Sequence, residues 1–154
     1  MNVIRIEDGE KIPSEILLAD LNDIVRSKKN FSFDWKKEFE KNEVYKLCLA
    51  DDNNEIIGLI AVEHQEEGFI FLPLIERANF EQPKKFEGIA ALLIGYACHL
   101  SFTTGKDGFV VFEAKTALIN YYANLTGALR VGHSNRMIIY PAQAKKLLTS
   151  LYEE

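Results

Sequence analysis

Between Gln82 and Leu100 the chain reads Gln-Pro-Lys-Lys-Phe-Glu-Gly-Ile-Ala-Ala-Leu-Leu-Ile-Gly-Tyr-Ala-Cys-His-Leu. A basic, proline-bearing loop thus runs through Gly88 into an apolar segment. Ile89, Leu92, Leu93, Tyr96 and Leu100 recur at helical spacing, which predicts a loop feeding a buried helix with these side chains on one face. The first turn of such a helix leaves backbone N–H groups unpaired at the positive end of the dipole, and Lys84 and Lys85 stand beside it. That combination accepts an anion, most naturally a phosphate. Gly88 lets a ligand approach the backbone, and the small Ala90 and Ala91 keep the approach open. An ordinary capped core helix uses the same residue types, so on this stretch alone both readings stand.

The rest of the composition narrows the class. A chain of 154 residues is most simply one domain over 1–154, long enough to bury a substantial core. Its net charge of −5 argues against a general nucleic-acid binder and confines any polyanion site to a local basic patch such as Lys84–Lys85. Cys48 and Cys98 lack metal-like spacing and each lies in an apolar run, which predicts reduced, buried thiols and no metal. Neither a signal-like amino terminus nor an apolar run of membrane-spanning length is present, so the expectation is a cytoplasmic protein without a membrane partner.

In chain order, Asn2–Ile6 reads as a short strand and 7–10 as a turn. Pro13 and Ser14 then suit a helix start, with Ile16, Leu17, Ala19, Leu21, Ile24 and Val25 as its apolar stripe. Phe31, Phe33, Trp35 and Phe39 sit in a polar segment from Ser27 to Glu43, either as a substrate lip or partner surface or, by preference, as a lid folded back over the core. Strands follow at Val44–Ala50, Ile56–Glu63 and Phe69–Ile75. The second is apolar enough to be buried on both faces. Pro73 has no N–H to offer, so the third loses pairing or bulges near its end. After the helix come a strand at Phe109–Ala114, a helix from Lys115–Thr116 to about Leu125 with Thr116 as a cap, and Gly127 to end it. A hairpin over 129–140 and a terminal helix from Pro141 complete the chain. Strand, helix and strand again make a crossover, which sets the strands around Phe69–Ile75 and Phe109–Ala114 parallel.

Lys85-Phe86-Glu87-Gly88-Ile89-Ala90 resembles the Gln/Arg-x-x-Gly-x-Gly/Ala pyrophosphate loop of the GNAT superfamily of N-acetyltransferases, with Lys in the first place. A second resemblance lies in Leu118-Ile-Asn-Tyr-Tyr-Ala-Asn-Leu-Thr-Gly-Ala128, where the family has a tyrosine-bearing helix followed by glycine. The likeness covers roughly Val44–Tyr140, and Leu74–Ala78 and Glu113–Thr116 are similar to a bacterial subgroup. It implies an α/β (α+β) fold: a single domain with a mixed, mostly antiparallel sheet of six or seven strands, splayed between the fourth and fifth and flanked by helices. It further implies acetyl-CoA as co-substrate and direct transfer to an amine. The pantetheine arm would pair with the backbone of Leu74 and Ile75. The pyrophosphate would rest on the amides of Phe86, Glu87, Gly88, Ile89 and Ala90, with Lys84 or Lys85 reaching phosphate as a point charge.

The transfer needs an acid for the departing thiolate and a base for the amine. Tyrosine suits the first, being protonated at neutral pH, and Tyr122 is the candidate; Tyr121 lies about 100° round the helix, so one of the two faces the cleft. Glu76, just after the splayed strand, is the candidate base, with a solvated loop residue or a partner for Arg77 as the alternative. Glu63 and Glu113 are its substitutes. His64, His99 and His133 share no catalytic spacing. The acceptor is a small-molecule or peptide amine, the expected assembly a monomer or homodimer, and no nucleic acid is expected. A non-catalytic module of the same fold, binding CoA or a protein partner, is the competing reading. A nucleotide-binding loop fits less well, since neither a Gly-Lys-Ser/Thr ending nor spaced glycines are present.

Overall fold

The computed structural model describes residues 1–79 and 84–152, apart from the side chains of Asn53 and Asn54; the Gln82-Pro83 opening of the basic loop lies outside them. In order, the elements are β1 (Asn2–Arg5), β2 (Lys11–Leu18), α1 (Leu21–Ser27), α2 (Trp35–Lys41), β3 (Glu43–Leu49), β4 (Asp52–His64), β5 (Ile70–Arg77), β6 (Phe86–Glu87), α3 (Ile89–Thr103), β7 (Val110–Glu113), α4 (Ile119–Thr126), β8 (Leu129–Arg130), β9 (Arg136–Ile139) and α5 (Pro141–Tyr152). The sheet is mixed and mostly antiparallel. The chain forms two compact units, Met1–Ala61 with Leu74–Leu93, and Val62–Pro73 with the residues from Ile94 onward. β4, β5 and α3 contribute residues to both.

In the first unit the strand order is β6-β1-β2-β3-β4-β5. The long helix expected from Pro13 does not form: Lys11–Leu18 is β2, paired with β1 from Asn2↔Pro13 to Ile4↔Lys11 and with β3 from Ser14↔Leu49 to Leu18↔Tyr45. Pro13 falls just outside the β3 ladder, so its missing N–H breaks no rung, while its carbonyl still accepts from the Ala50 N–H at 2.9 Å. Over Ser14–Leu17 burial alternates with period two, Ser14 and Ile16 more buried than Glu15 and Leu17, and Leu18 at the strand end is exposed as well. The helix start lies seven residues later, at a capping box in which Asp23 N–H donates to Asp20 Oδ1 (2.8 Å) and Asp20 N–H to Asp23 Oδ2 (2.9 Å). Lys46 Nζ (2.9 Å) and Arg26 (2.8 Å) close around the buried Asp23 carboxylate.

The aromatic segment folds back largely as the lid reading had it. Trp35 is 4% exposed in a core cluster with Ile24, Val44, Cys48, Ile56 and Leu59, and Phe31 and Phe39 pack against that cluster. Phe33 alone stays half exposed, at 51%. β4 is buried continuously from Ile56 to Val62, as its unbroken apolar run requires.

In the second unit β5, β7, β9 and β8 follow one another. β5 and β7, the fourth and fifth strands of the sequence reading, are parallel through Ile70↔Val110, Phe71↔Val111 and Leu72↔Phe112. β9 runs antiparallel to β7 from Val110↔Ile139 to Glu113↔Arg136. α5 packs on α3 closely enough that a methyl at Gly95 would come within 2.5 Å of Leu151. Thr116 caps nothing: it opens a short 3-10 turn, and its hydroxyl donates to Asn135 Oδ1 at 3.3 Å. Nor does α3 present one apolar stripe; Ile94, Ala97 and Cys98 are buried as fully as Leu92 and Leu93, whereas Tyr96 and Leu100 are only half-buried. Gly127 ends α4 in the left-handed region at φ +76°. The described residues form nine strands where six or seven were expected, the additions being β2 and the two-residue β6.

Candidate active site

Strand β5 loses its β7 ladder just before its proline. The parallel ladder with β7 ends at Leu72, the residue before Pro73, and Leu74 and Ile75 beyond it are half-buried. On its other side the segment stays tied to β4 through Ala78 N–H donating to Ile57 C=O at 2.8 Å. Ile70 N–H donates to Phe109 C=O of the β7 side at 3.1 Å, so by alternation Leu72 and then Leu74 face β7 while Pro73 turns its nitrogen the other way; where the ladder stops after Leu72, the backbone of Leu74 is left for another partner.

The start of α3 is seated on β4 at Gly58. A Cβ there would lie 2.7 Å from Ile89 Cγ2 and 3.0 Å from Leu93 Cδ1, so only glycine admits the first turn at this depth. Gly88, at φ +98°, turns the chain into the helix, and its carbonyl accepts the first intrahelical bond from Leu92 N–H at 3.0 Å. The amides of Ile89, Ala90 and Ala91 therefore have no partner inside the helix. Just upstream, β6 pairs with β1 through Arg5↔Phe86 and Ile4↔Glu87, with Ile6 N–H donating to Lys85 C=O at 2.9 Å. Because ladder bonds alternate, Glu87 turns its amide toward β1 and Phe86 turns its amide away. Glu87, expected among the phosphate-facing amides, is thus engaged by β1. Nothing in the pattern of a two-residue strand announces this pairing.

Three cations surround that turn. Lys84, Lys85 and Arg77 line one pocket with Ile57, Ala78, Phe86 and Ile89. Lys84, Lys85 and Phe86 also line an open groove of about 590 Å³ with Arg5 and Glu55. Lys84 Nζ reaches Glu87 Oε2 at 3.2 Å, an exposed pairing that a phosphate can displace. Arg77, the alternative partner for Glu76, is exposed and forms no ion pair among the described residues. Its signal was its place at the end of the strand that carries Pro73.

Glu76 is occupied. Its Oε2 accepts from Ser32 N–H (2.7 Å), and its Oε1 from Phe33 N–H (3.2 Å) and the Trp35 indole (2.8 Å). It is neither a solvated loop residue nor a partner of Arg77 but the anchor of the aromatic segment. Three donors use three of the carboxylate's four or so lone-pair positions.

Tyr122, in the second unit, packs edge-on against Phe112 of β7 at 5.4 Å between ring centroids. Tyr121 is its other ring neighbour at 5.2 Å and is 49% exposed, so of the adjacent pair Tyr122 is the inward one. Burial, with Tyr121 beside it, pushes the Tyr122 phenol above its usual value. Its hydroxyl has no hydrogen bond among the described residues and reaches solvent, since no buried side-chain polar atom among them lacks a partner. Among the described residues no group of His, Cys, Asp and Glu is placed to hold a metal, and no helix is long and apolar enough to cross a membrane.

No protein-family model and no curated protein sequence matches the chain. Solved structures do. The AtaTR complex bound with acetyl-CoA aligns at a TM-score of 0.60 over 89% of this chain and 99% of the matched chain, at 14% identity. Spermidine/spermine N-acetyltransferase SpeG from Vibrio cholerae aligns at 0.61 over 90% and 97%, at 18% identity. AtaT complexed with acetyl-methionyl-tRNAfMet (0.60, 14% identity, over 88% and 98%) and the KacTA–DNA complex (0.60, 13% identity, over 89% and 99%) match as well. With a parallel pair that stops before a proline in the second unit and a glycine-led helix start seated on β4 in the first, the chain has the fold of the GNAT superfamily of N-acetyltransferases.

Proposed function

We propose that this protein transfers an acetyl group from acetyl-CoA directly to an amine. The observation that carries the reading is the join of β5 and α3: a strand freed of its ladder after Leu72, next to a helix start seated on Gly58 and ringed by Lys84, Lys85 and Arg77. Leu74 and Ile75 offer backbone to the pantetheine amides. Phe86, Gly88, Ile89 and Ala90 meet the pyrophosphate, with the three cations neutralising its charge. The matched AtaT structure holds acetyl-CoA and SpeG is named for N-acetyl transfer, which supports this class of chemistry.

In the reaction the neutral amine attacks the thioester carbonyl carbon, the C–S bond breaks, and the thiolate takes the Tyr122 proton. A phenol held protonated by burial is suited to that task. Tyrosine-to-phenylalanine variants of AtaT and KacT are among the matched structures, which draws attention to a tyrosine in those proteins. Glu76 receives the amine's proton through water at the lone pair its three donors leave over. The acceptor is an amine whose carrier is open. Because matched proteins are complexed with tRNA or DNA, the net charge of −5 does not exclude a nucleic-acid-borne amine.

Thermal unfolding with acetyl-CoA, CoA and ATP tests the cofactor. Acetyl-CoA at ~100 times its dissociation constant stabilises by ~2.7 kcal/mol, expected to raise the midpoint by about 5–10 °C, with no shift from ATP. No shift at saturation removes the cofactor reading and leaves a partner-binding module.

A further inference from the structure

Unit one holds a second cavity, of about 350 Å³, lined by Ile24, Phe31, Phe33, Trp35 and Leu59, with Lys28, Asp34 and Lys36 at its polar edge. Its size falls within the about 300–1,000 Å³ usual for small-molecule sites, and its walls are aromatic and aliphatic. Phe31 and Trp35 meet edge to face at 6.4 Å, and Trp35 is fixed by its indole bond to Glu76. Phe33 is held by its backbone on the same carboxylate while its ring stays half exposed. The residue order matters, since Glu76 directly follows Leu74 and Ile75. A group seated against Phe33 and Trp35 therefore ends beside the strand assigned above to the pantetheine arm.

Charge narrows the occupant further. Lys28 and Lys36 are exposed and form no ion pair among the described residues, and Asp34 spends Oδ1 on the cap of α2, accepting from Lys37 N–H at 3.1 Å. Lys29 and Lys37 add positive charge alongside. Against these four lysines stand the carboxylates of Asp34 and Glu76, so the balance at the rim is positive and a polyamine meets net repulsion, whereas an apolar side chain fills the cavity without a charge to desolvate.

We propose that this cavity is the acceptor's side-chain pocket and selects α-amines bearing a bulky apolar side chain over polyamines. The inference rests on the acetyl-transfer reading, and Glu76, besides taking the amine's proton, sets the pocket against the strand through its bonds to Ser32, Phe33 and Trp35.

Trp35 is the chain's only tryptophan and lines the cavity, so its emission reports occupancy without any turnover. L-phenylalanine amide, L-phenylalanine and spermidine are titrated into the protein and into Phe33→Ala, then each is assayed with acetyl-CoA. Expected are a saturable emission change with L-phenylalanine amide, binding weakened about tenfold in Phe33→Ala, and no change with spermidine. L-phenylalanine binding more tightly than its amide assigns Lys28 and Lys36 to a carboxylate; equal binding assigns the pocket to the side chain alone, as in a peptide or ester. Absence of a saturable response to either, or a response unchanged in Phe33→Ala, overturns the pocket. Emission changes without acetylation of any amine keep the pocket and sink the transfer reading. Acetylation of spermidine with an efficiency equal to that of L-phenylalanine amide keeps transfer and overturns the selectivity.

Discussion

Tyr122 and Glu76 look alike in the sequence, one chemically apt residue each near a predicted strand end, yet their surroundings differ. Tyr122 carries an unengaged hydroxyl against Phe112, whereas Glu76 carries three donors. Tyr122→Phe is expected to lower kcat by about 10²–10⁴ with acetyl-CoA affinity unchanged, because only proton donation is lost. Its rate profile in the parent should hold through neutral pH and fail on the alkaline side only above the ordinary tyrosine value, since the phenol's pKa is raised and its proton is kept longer. A Tyr122→Phe turnover equal to the parent's removes this residue from the mechanism. For Glu76→Gln, the amide nitrogen is expected to face a backbone N–H where an oxygen accepted one, costing about 1–3 kcal/mol. The readouts are a lower unfolding midpoint and an altered Trp35 emission. A variant of parental stability and reduced kcat would instead assign Glu76 to proton transfer alone.

At the scale of elements, the start of α3 depends on a residue in another strand. Gly58 has no local turn to serve and no positive φ; its role is to let Ile89 and Leu93 approach β4. Gly58→Ala is expected to cost about 1–3 kcal/mol by overpacking and to displace the helix start. Acetyl-CoA affinity should then fall more than in Ile139→Val, a core variant of the second unit that costs about 0.5–1.5 kcal/mol. Equal affinities in the two variants would detach the helix start from cofactor binding. β2 makes the opposite point. Ile16-Leu17-Leu18-Ala19 suits either a helix or a strand, and what decides it is the pair of neighbours: β1 and β3 offer ladders on both sides of Lys11–Leu18.

For the whole molecule, the length predicts a single domain, and the two thiols test it. Cys48 belongs to the first unit and Cys98 to the second, both buried, and burial pushes their pKa values up to about 11 and about 12. Each should be inert to a thiol reagent at neutral pH in the native protein. Since β4, β5 and α3 each supply residues to both units, the two thiols are expected to become reactive in one denaturant transition. Two separate transitions would show two independently folding parts.

The sequence by itself determined what is local: the loop through Gly88 into α3, the ends at Gly127 and Pro141, and the buried thiols. Each follows from backbone restriction or from unbroken apolar runs, which act within a few residues of chain. Only the tertiary structure decided what depends on a distant partner. The anchoring of Ser32, Phe33 and Trp35 on Glu76 spans more than 40 residues, the pairing of Phe86–Glu87 with Ile4–Arg5 spans about 80, and the choice of strand over helix at Lys11–Leu18 needed β3. Hydrogen-bond donors and acceptors must find partners when the chain closes up, and periodicity does not say which partners those are.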